Sequence, residues 1–504
     1  MLYCVETLKC VDSTLRHMLP VMHKRPSPCS YALCVIVTGA TLAFCITAAA
    51  AAIPLSTYHA NNSRTGYSTG TSITTGNVSN LSQRWRLSVT APISDQPIVD
   101  NGVIYWGDWT GQMHATSLSG HSLWSTSLGT AANPAACPFH LATQGVVSSA
   151  TVGTLNGQNL VWVGGGTGQL VALNASTGKI VWSTPLGTPP EYETWTSPAL
   201  YHGSIYEGVS SFNDCPVVNG SFDRVNAATG AIQAVNHLSQ TSSCIGPGIW
   251  SSPAVDADTN SIYVSTSNAN LLSNESLTCE SPDQEAVLQL DATTLAVKAV
   301  WEVPARQQAE DSDFGASPML FSATIRGTKR QLVGAENKNG VYYALDRDNL
   351  ATGPVWTYAA ENTRAVTSTT CEDKNTISSS AWAGPGTPVI VAGLALRGSS
   401  CIGTLAALNP TTGKPEWKVP LQGEVLGAVT EVPGLVAVGA GSHVDVLSSS
   451  TGATLFSYAE PNSIKSKSKA NYGAPIGWFW SPLTIAGNAL YAANQDGNLR
   501  AFSP

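Results

Sequence analysis

Five side chains in the middle of this chain are of types that could do chemistry together: Asp214, Trp250, Asn268, Asp313 and Lys338. An indole offers a flat face on which a planar ligand can stack. Carboxylate and amide oxygens suit a hard cation such as calcium. A carboxylate can accept a proton from a reacting hydroxyl, and an ammonium can stabilise negative charge that develops beside it. Cys137, in Ala136-Cys137-Pro138, adds one thiol. No other constellation competes. The glycine run at 164–168 lies between strands with no helix after it, so it reads as a hairpin and not a phosphate loop. The nine histidines lack metal-ligand spacing, and Cys-x-x-Cys and Cys-x-x-Cys-His are both missing. Glu191 and Glu193, flanking Tyr192 near Trp195, read as solvated residues, with a place lining the mouth as the alternative.

The elements that must position these residues are strands. A motif of an apolar pair, Asn or Asp, small residues, Thr-Gly and then Trp recurs, as LVALNASTGKIVW at 170–182 and LAALNPTTGKPEW at 405–417. Looser copies begin at 222, 287, 342 and 444. Each copy reads as a strand, a tight turn with φ > 0 at Gly, and an outer strand opened by Trp. Radial repetition at irregular spacing predicts a β-propeller. Eight inner strands announce themselves, at 96–108, 145–152, 194–208, 249–266, 314–321, 379–393, 425–440 and 478–494. The last blade lacks its outer strand, and Gln83-Arg84-Trp85-Arg86-Leu87 supplies it from the other end of the chain. The expected fold is therefore an all-β, eight-bladed propeller over 83–504 with velcro closure between its N- and C-terminal strands. Residues 53–82, polar and rich in Ser, Thr, Gly and Asn, read as an extended N-terminal arm packed on the outside. Long insertions at 209–221, 267–285, 305–313 and 361–378 fall where a propeller builds its upper face, the default place for binding.

Composition agrees with this architecture. Of 504 residues 43% are hydrophobic and only 12% charged, and the 45 Gly and 29 Pro suit many turns. Residues 1–52 read as a leader. The uncharged run 31–53 follows Lys24 and Arg25 and ends in alanines, which predicts a signal peptide cleaved near Ala50 to Ala52. The same run is long enough to span a bilayer, so an uncleaved anchor is the alternative. Met18 and Met22 are alternative starts. Removing four basic and two acidic leader residues takes the net charge from −8 to about −10, with no basic stripe for nucleic acid. Six cysteines remain, and in an exported chain they suggest disulfides. The pairs expected are Cys371 with Cys401 and Cys215 with Cys244.

The hairpin repeats resemble those of the pyrroloquinoline quinone (PQQ) propellers, the quinoprotein alcohol dehydrogenases, over essentially the whole of 83–504. Trp250-Ser251-Ser252-Pro253, continuing to Ser267-Asn268, is similar to a quinoprotein segment in which the Trp forms the floor under PQQ and the Asn binds calcium. Asp313-Phe314-Gly315 with Lys338-Asn339-Gly340 is the second match. The resemblance implies that Asp313 is catalytic base and calcium ligand, and that Lys338 sits beside the quinone oxygens. Asp311 is a rival base. Asp214 takes the position of the family's calcium carboxylate, with Glu207 as fallback. The family's two adjacent cysteines over the cofactor are reduced here to Cys137, and the Arg that follows them is not evident. That pattern looks closer to the polyvinyl-alcohol dehydrogenase type, without its haem domain. The implied function is an exported, periplasmic or extracellular oxidoreductase that passes electrons from a small or polymeric alcohol to cytochrome c or a quinone. The alternative is a non-catalytic propeller that binds a protein or glycan.

Overall fold

The computed structural model describes residues 55–132, 143–212, 216–238, 241–271, 274–308, 312–361, 377–461 and 477–504. Eight antiparallel sheets follow one another along the chain as the blades of a propeller. The first strands of blades 1 to 8 are Ile98–Asp100, Thr151–Leu155, Ala199–Tyr201, Ala254–Asp256, Met319–Ile325, Ala381–Trp382, Thr430–Val432 and Thr484–Ala486. Blade 8 takes its outer strand, Ser82–Ser88, from the start of the ring, paired antiparallel with Asn498–Ser503. The velcro closure expected from the sequence is present, and it leaves the ring no open seam.

The repeated motif is an inter-blade staple as well as a hairpin. Gly178, Gly413 and Gly452 have φ near +70°, which their turns require. Each glycine also lies under the outer-strand Trp of the preceding blade. A Cβ at Gly178 would come within 2.6 Å of Trp124, one at Gly413 within 2.5 Å of Trp356, and one at Gly452 within 2.7 Å of Trp417. Those indoles donate in turn to turn carbonyls of the next blade, Trp124 to Ala175, Trp356 to Pro410 and Trp417 to Ser449. Thr-Gly and Trp recur together because one is the seat of the other.

Around the axis the blades are joined by a girdle at the Ser-Pro positions that mark the inner strands. Gln96 N–H donates to Ser149 Oγ, Ser149 N–H to Ser197, Ser197 to Ser252, Ser252 to Ser317 and Ser317 to Ser379. Bonds from Val429 N–H to Ser379 O, from Thr430 Oγ1 to Leu483 O and from Ser481 Oγ to Asp95 O complete the circle.

The arm departs from expectation. It does not lie outside; it runs through the inner ring and visits the blades in order. Leu55 N–H bonds Val99 O of blade 1, and Ser56 O accepts from Val152 of blade 2. Asn62 Nδ2 donates to Leu200 O of blade 3. Asn62 O, Ser63 O, Thr65 O and Gly66 O accept from Val255, Leu320, Trp382 and Glu431 of blades 4 to 7, and Gly70 O from Gly487 of blade 8. At its centre Arg64 is fully buried and donates to the carbonyls of Tyr58, Ser197, Pro198 and Pro253 and to Thr57 Oγ1. The inner edge of every blade would otherwise present unpaired backbone groups, and a polar segment satisfies them better than an apolar one.

Candidate active site

Two residues before the girdle serines of blades 3 to 6, in the segments that lead into the inner strands, stand Trp195, Trp250, Gly315 and Ile377, half-buried residues beside fully buried neighbours. Trp250 reaches across the entry of blade 5: a Cβ at Gly315 would meet its Cη2 at 2.3 Å and Ile377 Cγ2 at 2.7 Å. Only glycine leaves room for the indole there. The result is an aromatic plate on the upper side of the girdle.

Asp313 and Lys338 meet this plate. Asp313, only 3% exposed, accepts the Trp250 indole N–H on Oδ2 at 2.8 Å, and its Oδ1 lies 2.9 Å from Lys338 Nζ. Lys338 Nζ stands 5.0 Å from the Trp250 ring centroid, within cation–π range. Three residues from two blades and two different connections therefore form one triangle. Its corners are pinned from below. Lys338 N–H donates to Asp313 O, Phe314 N–H to Thr266 O, and Ser312 Oγ to Glu285 Oε2. Lys338 is placed by the turn between the strands Thr328–Asn337 and Val341–Asp346, whose Gly340 has φ of 80°. An opposite charge beside a carboxylate favours the charged form, which is the form that accepts a proton.

Asn268 lies three residues beyond the strand Ser261–Ser265, in the loop of the Trp250 blade. Its Nδ2 donates to Asn270 Oδ1 at 2.6 Å, which turns the amide oxygen the other way. Asp214, Cys137 and the rival base Asp311 lie outside the described residues. Among the described residues, no group of three or more His, Cys, Asp or Glu is arranged to hold a metal ion. Glu207, the fallback ligand, is fully buried inside its strand and accepts from Thr196 Oγ1 at 2.7 Å. Burial drives its carboxyl well above the usual range.

Sequence reasoning missed two features. Glu193 is not solvated: it is fully buried and paired across from Ser210. Burial raises its pKa well above normal. The short pairing of Tyr192–Glu193 with 210–211 turns it inward, and a two-residue strand carries no periodicity to read. Cys244 bonds Cys279 and not Cys215. The backbone pairing of Cys244–Ile245 with Asn270–Leu271 brings it there, a non-local contact with no sequence signal. Cys401 is also disulfide-bonded, while Cys371 and Cys215 lie outside the described residues.

The comparisons agree with this architecture. The family model described as outer membrane protein assembly factor BamB matches residues 66–294 and 338–504, well over half of the chain. The polyvinylalcohol dehydrogenase of a Pseudomonas species is 24% identical over 217 residues, which cover 36% of this chain and 33% of that protein. The quinohemoprotein alcohol dehydrogenase ADH IIB of Pseudomonas putida is 24% identical over 479 residues, 86% of this chain and 65% of the relative. The chain thus spans about a third of the first of these relatives and just under two thirds of the second. The crystal structure of the quinohemoprotein alcohol dehydrogenase from Comamonas testosteroni superposes with a TM-score of 0.67 at 17% identity, covering 91% of this chain and 81% of that one. BamB from Moraxella catarrhalis gives 0.50 at 15% identity, covering 84% of this chain and 100% of that one. With eight blades, the motif staples and these matches together, the chain belongs to the PQQ-type propeller family whose model carries the BamB description, and within it is quinoprotein alcohol dehydrogenase-like.

Proposed function

We propose that this protein is an exported PQQ- and calcium-dependent oxidoreductase that oxidises an alcohol and passes the electrons to an external acceptor, a cytochrome c or a quinone. The observation that carries this reading is the triangle of Trp250, Asp313 and Lys338 at the upper end of the channel. Its donor set fits a flat, anionic cofactor. The half-buried indole is a plate to stack on, and the ammonium offsets carboxylate and quinone charge. PQQ, when bound, supplies the two-electron acceptor that no side chain provides. Asp313, paired with Lys338 and oriented by the Trp250 N–H, takes the hydroxyl proton of the alcohol. Asp214, Asn268 and Asp313 would give calcium its oxygen ligands, and Cys137 would lie beside the cofactor. Export is supported by the alanine-ended run at 31–53 and by the Cys244–Cys279 disulfide. No helix among the described residues is long and apolar enough to cross a membrane.

The test is reconstitution with PQQ and calcium, followed by reduction of an artificial dye by small alcohols and by polyvinyl alcohol. Dye reduction is expected to require PQQ, to stop on chelation of calcium and to return when calcium is restored. The second reading, a non-catalytic scaffold for a protein or glycan, is favoured by the description of the family model. A correctly folded protein that binds no PQQ would decide for it.

A further inference from the structure

The segment that leads into Trp250 and the loop that carries Asn268 run side by side. Gly248 N–H donates to Ser267 Oγ at 2.7 Å, and Ser267 N–H returns to Gly248 O at 2.9 Å. Farther out, Ile245 pairs with Asn270 and Cys244 with Leu271. A third strand, Asn274–Thr278, folds back on Asn270 and Leu271. The Cys244–Cys279 disulfide crosses this small sheet from its first strand to the residue after its third, and Cys279 N–H bonds Ala269 O at 2.9 Å. Both cysteines are buried and share one apolar cluster with the fully buried Ala269. Among the described residues this sheet is separate from the blade ladder, with its central strand paired to these two neighbours.

Asn270 is the link to the site. It is held in the middle of the small sheet, and its Oδ1 accepts from Asn268 Nδ2. That contact decides which end of the Asn268 amide points away, and it leaves the oxygen as the presented atom. Trp250 is two residues from Gly248, so the same pairing sets the entry of the indole over Gly315.

We propose that the Cys244–Cys279 disulfide is a positioning element of the site. It holds the pair 244–250 and 267–271 in register, and through Asn270 and Gly248 it fixes Asn268 and Trp250 relative to each other. Its effect on cofactor affinity rests on the function proposed above; its effect on the pair does not. Short polar loops on a propeller rim open readily, because few apolar contacts oppose local unfolding. A covalent link from one side of the pair to the strand that backs the other removes most of those open states.

The experiment compares wild type with Cys244→Ala/Cys279→Ala, and with wild type treated with dithiothreitol. The reagent's thiolate attacks one sulfur and its second thiol resolves the mixed disulfide. Two cysteine thiols and the cyclic oxidised reagent result. Backbone hydrogen exchange is followed by mass spectrometry, and PQQ binding by quenching of tryptophan emission. Exchange within 244–252 and 266–280 is expected to rise at least about tenfold without the link. Girdle segments 315–322 and 377–382 are expected to exchange as before, and PQQ affinity to fall about tenfold. Unchanged exchange in the pair overturns the proposal. So does a uniform rise over the whole ring, which would make the link a global stabiliser. Faster exchange with unaltered PQQ affinity overturns the positioning role. If wild type takes up no PQQ, the cofactor reading falls, and the exchange result alone decides whether the disulfide holds the pair.

Discussion

Asp313 has both oxygens engaged, one by the Trp250 indole and one by the Lys338 ammonium, and this makes its substitutions informative. Asp313→Asn keeps an acceptor for the indole but removes the base. It is expected to lower kcat by about two to four orders of magnitude, with PQQ affinity changed far less; steady-state kinetics with titrated cofactor reads both. Lys338→Met is expected to act in the other direction, weakening PQQ binding first, because it removes the positive charge above the plate. Glu431 is one of the buried carboxyls through which stability depends on pH. Glu431 is buried, and desolvation pushes its carboxyl up to about 8. Its folded pKa is therefore above the unfolded value, so the folded state binds the proton more tightly. The resulting stability is full below the ordinary carboxylate range and is lost as pH rises toward about 8. His59 works oppositely at lower pH. Burial lowers it to about 4, so its contribution is present above the usual histidine range and lost on acidification. Urea unfolding midpoints are expected to decline from about pH 6.5 to about pH 8, where His59 no longer offsets the carboxyl, and Glu431→Gln to flatten the decline.

The arm is the element whose placement matters most. Every blade's inner strand would leave backbone groups unpaired without it, and Arg64 ties blades 3 and 4 to its own turn at residues 57–58. Arg64→Met leaves several buried carbonyls without a donor, each at a cost of about 1–3 kcal/mol before any relaxation. A large fall in melting temperature is expected, while a charge-removing change on the exposed rim, such as Lys414→Ala, should leave it unaltered. Gly66 tests the same docking independently. Its φ is +63°, and a Cβ would come within 2.3 Å of His59 Nε2 and 2.6 Å of Val429 O. Gly66→Ala is expected to release the arm from blade 7. Limited proteolysis should then cut within residues 55–70, which the wild type protects.

At the scale of the whole molecule, stability resides in contacts between blades. Each staple joins a glycine of one blade to the tryptophan of its predecessor, so one substitution is felt at a seam. Gly178→Ala must both adopt a φ of +68° and displace Trp124. It is expected to cost about 2–4 kcal/mol, at the upper end of single substitutions, read from chemical denaturation. The ring has one non-covalent seam of a different kind, the pairing of Ser82–Ser88 with Asn498–Ser503. Pro in place of Leu87, which pairs with Leu499, is expected to open that seam and cause association through the freed strand edge, visible by light scattering.

Strand identity, blade number and the velcro closure were legible in the chain because Thr-Gly turns and Trp-bearing strands are local signals, repeated often enough to fix their period. Trp250, Asp313 and Lys338 were legible as residue types at blade ends. That they touch was not, because the contact spans a blade boundary and depends on Gly315 giving the indole room. The arm's place was not legible because a polar composition suits solvent and bare strand edges alike, and its polar groups meet the inner edges of eight strands. Glu193 was misread for the same reason, and Cys244 was given the wrong partner because disulfide pairing follows tertiary distance. Composition and periodicity determined the ring. Only the folded chain decided what fills its centre and which side chains meet above the girdle, since both rest on contacts between residues far apart in sequence.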